Sequence, residues 1–195
     1  DRLVLWNNRF ADFFGFEQGQ LQQGLDLLIK AMADPRLKKM NIKLIVAGEY
    51  YGNQAFYESL IESEGVGAQI VQRTDFIPND EVKNYFCAAD LVVQPYKSAT
   101  QSGISQLAYH FEKPMVVTKV GGLPEIVDHG RAGYVVEVEP QAIADAIVDF
   151  YQQNKEATFV KSVIENKKRF SWASMAKGVK RLSGAQTPRE KSTLK

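Results

Sequence analysis

Short apolar runs alternate along the chain with stretches in which apolar residues return every three to four positions. Residues 41–49 (NIKLIVAGE) are mostly apolar and end near a glycine, the pattern of a strand covered on both faces of a parallel sheet. Residues 68–74 (AQIVQRT), 89–94 (ADLVVQ, stopped by Pro95), 114–118 (PMVVT) and 132–136 (AGYVV) read the same way. Between them, Leu25, Leu28, Ile29 and Met32 share one face of a helix. Helical patterns continue over 54–64, 79–88, 102–111, 123–128 and 140–153, with PNDEV offering Asn79 as an N-cap ahead of first-turn acids. Residues 157–182 predict amphipathic terminal helices with Lys/Arg-rich faces, and 183–195 form a polar tail.

This alternation predicts an α/β fold, a doubly wound, Rossmann-like parallel sheet, in one domain over residues 1–182. The chain opens directly on DRLVLWNN, as expected of a domain taken from a longer protein. Ligands of such sheets bind at the carboxyl ends of the strands. Those ends are Gly48-Glu49-Tyr50, Asp75-Phe76-Ile77-Pro78, residues 95–103 and residues 119–125.

Composition narrows the class. The chain has 195 residues and a net charge of +1, which gives no electrostatic reason to expect nucleic acid. Its one cysteine, Cys87, falls at an apolar helical position in NYFCAAD and is expected to be buried and inert. The histidines, His110 and His129, have no ligand-spaced partners, so no metal site is expected. No apolar run approaches the length of a membrane span, and no signal peptide is evident.

Two loops on the predicted ligand edge carry glycine next to a helix start. Thr100-Gln101-Ser102-Gly103 leads into a helix whose first N–H groups suit a phosphate. Gly103 permits close backbone approach, and Thr100 and Ser102 add hydroxyls. The same residues also suit a plain N-cap. Gly121-Gly122 either turns bare backbone N–H groups to a ligand or makes a tight turn ahead of Pro124. Glu49 suits a ribose or base contact, or a solvated loop. Lys97 suits a phosphate contact, or solvent.

Other chemistries lack their residues. There is no G-x-G-x-x-G. Gly19 and Gly24 have Walker spacing, but Leu25 and Asp26 stand where Lys and Ser/Thr belong. No Ser/His/Asp set can be assembled from two scattered histidines.

The ordered combination ADLVVQPY, SATQSGISQLAYHFEKPMVVT, VGGLPEIV and GRAGYVV resembles the C-terminal, nucleotide-sugar-binding half of GT-B fold glycosyltransferases of family 4 (group 1). The resemblance runs from about Gly24 to Trp172. It implies one of two Rossmann-like domains facing across a cleft. It also implies retaining transfer of a sugar from a nucleoside diphosphate, UDP among them, to a hydroxyl acceptor, without metal or other cofactor. By position it places Thr100, Gln101, Ser102, Gly103 and Ile104 at the diphosphate and sugar. Gly48, Glu49, Phe76, Ile77 and Pro78 border the nucleobase, and Gly121 and Gly122 shape the pocket.

Two features depart from the family pattern. Where many members carry two glutamates around the helix after residue 100, Glu112 is the one acid between Asp90 and Glu125, and Gln101 and Gln106 are the nearest polar substitutes. The loop that usually supplies an Arg and a Lys reads GFEQGQLQQGLDLL, neutral or acidic, with Arg9 the nearest upstream cation.

The resemblance further implies a partner domain for the acceptor and a cytoplasmic enzyme of cell-envelope polysaccharide synthesis, inactive as this chain alone. The basic residues Lys161, Lys167, Lys168, Arg169, Lys177, Lys180 and Arg181 suit either a solvated face or contact with a membrane surface. A nucleotide-sugar epimerase half-domain and a Rossmann-like domain without donor binding are the alternatives. The epimerase would need acid/base groups that are scarce here.

Overall fold

The computed structural model of the chain describes residues 2–7, 24–50, 54–100, 102–168 and 176. One sheet holds β1 (Arg2–Asn7), β2 (Ile42–Ala47), β3 (Ile70–Arg73), β4 (Leu91–Gln94), β5 (Met115–Thr118) and β6 (Gly133–Val136). All pairings are parallel, in the order β3-β2-β1-β4-β5-β6. The connecting helices are α1 (Leu25–Met32), α2 (Pro35–Lys39), α3 (Gln54–Ser63), α4 (Val82–Ala88), α5 (Gly103–His110), α6 (Leu123–Ile126), α7 (Pro140–Gln152) and α8 (Glu156–Lys167). This is the doubly wound α/β fold that the alternation predicts. Strand order reverses between β1 and β4, so a crevice opens at their carboxyl ends.

Alternate side chains of each strand feed two cores, one on each face. Val4, Trp6, Leu44, Val46, Leu91, Val93 and Val116 meet α1, α3 and α7. Leu5, Ile45, Ala47, Val92, Met115 and Val117 meet α4 and α5. The expected α1 face is confirmed, with Leu25, Leu28, Ile29 and Met32 fully buried. Helix α8 joins the two sides: Phe159 enters the first core and Val163 the second.

Polar staples fix the ends. At the amino edge, Asp90 Oδ2 accepts from the Leu3 N–H at 2.8 Å and from the Tyr151 hydroxyl at 3.1 Å, joining β1, β4 and α7. On the surface, the Arg36 guanidinium lies 2.6 Å from Asp34 and 2.5 Å from Asp145, tying α2 to α7. Those hydrogen bonds hold the Asp34 carboxyl down at about 2.

Four expectations change. The sequence reading gave five strands, and β1, the central one, was not among them. Its apolar stretch spans only residues 3–6. Helix α4 begins at Val82 rather than 79, because residues 78–81 close a turn through Glu81 N–H to Pro78 O at 3.0 Å, and Asn79 is no N-cap. Cys87 is exposed, not buried. Val82 and Phe86 form the buried stripe of α4, and the next residue is rotated about 100° away from it. Lys167 is partly exposed but not simply solvated: it donates to the His110 carbonyl at 2.9 Å and pairs with Glu112 at 3.1 Å. The polar tail, Arg169, Lys177, Lys180 and Arg181 lie outside the described residues.

The exposed thiol gives a direct check. Cys87 in the native chain is expected to react to completion with an aromatic disulfide reagent, without denaturant. Reaction only after unfolding would return it to the core.

Candidate functional site

The loop after β4 enters the crevice between two glycines. Gly24, which precedes α1, has φ 70°, and a Cβ there would overlap the carbonyl of Pro95. Gly121 has φ 49°, and a Cβ there would overlap the carbonyl of Ala99. The adjoining Gly122 N–H donates to Thr100 O at 3.0 Å. A side chain at either glycine would push the β4–α5 loop out of its seat. The two glycine turns that the sequence places at opposite ends of one helix–strand unit therefore touch each other.

Beneath the loop runs a buried polar chain. Thr118 Oγ1 donates to the carbonyl of Tyr96 at 2.5 Å. Ser105 Oγ donates to Gln94 Oε1 at 3.0 Å, and Gln94 Nε2 meets Met115 Sδ at 3.5 Å. Gln94, Ser105 and Thr118 are each at most 2% exposed. Together they bind β4, β5 and the first turn of α5 into one unit. The sequence reading missed this chain. Its signal was polar side chains at strand ends and on the apolar face of a helix.

Ser102 sits at the N-cap of α5 but makes no side-chain cap bond. Its hydroxyl instead shares a hydrogen bond with the Tyr96 hydroxyl at 3.2 Å. Burial pushes the Tyr96 phenol up, so it stays protonated at neutral pH. The first N–H groups of α5 are left without this hydroxyl as a partner, at the positive end of the helix.

The remaining named residues divide by what they can offer. Thr100, Gly103 and Gln106 are exposed on the same loop and helix. Ile104 (2% exposed) and Ile77 (7%) belong to the second core, so their side chains serve packing and only their backbone is on offer. Phe76 is 68% exposed beside Pro78, an apolar ring held in solvent at the carboxyl end of β3. Gly48 is buried and donates its N–H to the Arg73 carbonyl at 2.9 Å, and Glu49 is half-buried after it. Tyr50 stacks on Tyr57 at 5.5 Å and donates to Gln72 at 3.0 Å. Burial pushes both phenols up to about 12. Lys97 pairs with Asp26, with Nζ 2.7 Å from Oδ2, and its side chain is still 36% exposed. Gln101, Gly15, Gly19 and Arg9 lie outside the described residues.

The arrangement suits an anion held by backbone at the start of α5, with an aromatic and backbone groups on the β2–β3 side for a planar ring. Among the described residues no three His, Cys, Asp or Glu side chains are grouped to hold a metal ion. No described helix is long and apolar enough to cross a membrane.

Comparison with known proteins agrees with this fold. The family model for glycosyl transferases group 1 matches residues 15–153. A D-inositol 3-phosphate glycosyltransferase of Corynebacterium glutamicum is 30% identical over 167 residues, covering 81% of this chain and 40% of that protein. The chain thus spans less than half the length of this curated relative. The structure of Anabaena HepE in complex with UDP superposes with a TM-score of 0.74 at 20% identity, over 95% of this chain and 49% of the other. The C-terminal domain of a group 1 family glycosyl transferase from Francisella tularensis superposes with a TM-score of 0.70 at 19% identity, over 86% and 84%. The fold is that of one half of a GT-B enzyme.

Two substitutions test the seating of the loop. Gly121→Ala meets both strain and overlap and is expected to lose more than about 2 kcal/mol in urea unfolding, whereas Gly130→Ala, strained but with open space around it, loses about 1–2 kcal/mol. Equal losses would mean that Ala99 does not need this approach. Ser105→Ala leaves Gln94 Oε1 unpaired in the interior and is expected to cost about 1–3 kcal/mol in the same assay. A change within error would deny the polar chain its role.

Proposed function

The chain belongs to the glycosyl transferases of group 1, and from that premise we propose that it is the donor half of such an enzyme. In this reading it binds a nucleoside-diphosphate sugar at the carboxyl edge of its sheet. The observation that carries this is the seating of the β4–α5 loop against Gly121 and Gly122, which presents the uncapped start of α5 to the crevice. Diphosphate oxygens accept from the first N–H groups of α5, and the hydroxyl of Thr100 adds a donor. The nucleobase lies toward Phe76, Pro78, Gly48 and Glu49. UDP is the first nucleotide to try, because the fold neighbour from Anabaena was solved with it.

The transfer is retaining and goes to a hydroxyl acceptor bound by a second domain, so this chain binds donor and transfers nothing alone. Its contribution to rate is positioning and stabilisation of the leaving diphosphate. Helix N-termini and side chains neutralise that charge without a metal ion. The enzyme works in the cytoplasm, at the inner face of the membrane, in cell-envelope polysaccharide synthesis.

Calorimetric titration with UDP, GDP, ADP and their sugar conjugates tests the reading. One diphosphate is expected to bind saturably, and Gly103→Val is expected to weaken it at least tenfold by blocking backbone approach. Absence of binding by all of them at millimolar concentration would favour a domain without donor binding, in keeping with the neutral and acidic loop 15–24.

A further inference from the structure

The crevice between β1 and β4 receives two helix starts. Helix α5 follows the β4 loop, and α1 follows Gly24. Each places a positive dipole end at the same edge. A diphosphate carries more charge than two helix ends offset, so a full cation is wanted there.

Lys97 is placed to supply it. Its backbone belongs to the loop that leads into α5, while its Nζ reaches the first turn of α1, 2.7 Å from Asp26 Oδ2. The other described cations near this edge lie elsewhere. Lys119 pairs with Glu137 at 3.4 Å with both side chains about two-thirds exposed, and Arg73 ends the outer strand β3.

The Lys97–Asp26 pair is also unlike a surface ion pair. Asp26 is only 8% exposed, and its second oxygen, Oδ1, is buried with no hydrogen-bond partner among the described residues. A half-satisfied carboxylate in the interior depends on its one cation. The Lys97 side chain is 36% exposed, so the pair lies at the surface of this edge and not sealed in the core. An ammonium has three N–H donors, and one serves Asp26. The overlap that any side chain at Gly24 would make with the Pro95 carbonyl keeps helix and loop in this register.

We propose that Lys97 is the diphosphate-binding cation of this site, held in place by Asp26, with its remaining N–H groups turned to the phosphate oxygens of the donor. This rests on the reading of the edge as a donor site. It assigns Asp26 a positioning role: the carboxylate aims the ammonium and does not touch the ligand.

The test compares UDP with uridine by calorimetry on the full chain. Wild type is expected to bind UDP more tightly than uridine, and the UDP affinity is expected to fall steeply with added salt. Lys97→Met is expected to lose about tenfold or more for UDP, the order of one charge-assisted contact, with uridine unchanged. Lys97→Arg is expected to recover most of the loss. Since Lys97→Met leaves Asp26 buried without a cation, the neutral pair Asp26→Asn/Lys97→Met serves as the second variant. It is expected to unfold near the wild-type temperature and still to lack the UDP preference. A neutral-pair variant that binds UDP as tightly as wild type, with the same salt dependence, would overturn the proposal and leave the donor site standing. A wild-type chain that binds neither UDP nor uridine would overturn both.

Discussion

The carboxyl edge depends on two close approaches of backbone to backbone. The carbonyls of Pro95 and Ala99 occupy the space where side chains of residues 24 and 121 would stand. One approach locks the β4–α5 loop to the start of α1, the other to the turn after β5. Because carbonyls rather than side chains make these contacts, the loop is positioned by the parts of the chain with least freedom. Everything that faces the crevice inherits its place from this seat, including the start of α5, the Tyr96–Ser102 pair and the Lys97 ammonium.

The fold was legible because parallel strands covered on both faces must be short and apolar. Runs such as IKLIVA and MVVT have few other readings. Where the signal was local, it misled. Strand β1 has a short apolar stretch of four residues, too short on its own to announce the centre of the sheet. Asn79 looked like an N-cap because the residue type is right, but the turn closed by Pro78 O uses the residues that a helix would need. Cys87 lies beside a buried stripe rather than in it, a distinction of one residue that an apolar composition does not make.

The site was half legible. Glycines carry a conformational message, so Gly121 and Gly122 could be placed in a turn at the carboxyl edge of the sheet from sequence alone. Ile77 and Ile104 share the loops of that edge, yet their side chains belong to the core, because a sequence position says which loop a residue is on and not which way it points. The buried chain through Gln94, Ser105 and Thr118 left only a faint sequence signal for a related reason. Each is an ordinary polar residue until the sheet brings strand ends and helix together. Lys97 had two open readings, phosphate or solvent, and the partner that decides its position is 71 residues away in Asp26.

Helix α5 shows how both ends of one dipole are put to use. At its carboxyl end, Lys167 from α8 donates to the His110 carbonyl, so a cation meets the negative pole. At its amino end the N-cap serine gives its hydroxyl to the Tyr96 pair and does not itself cap the helix. An ordinary surface helix would satisfy the amino end first, since a cap contributes about 1 kcal/mol. Here the carboxyl end receives a cation from the protein, and Ser102 leaves the amino end open. An acceptor group at the amino end, such as the diphosphate of the proposed donor, would offset the missing cap. The asymmetry is therefore a stronger argument for an anion at this position than the glycines alone, which a tight turn would also require.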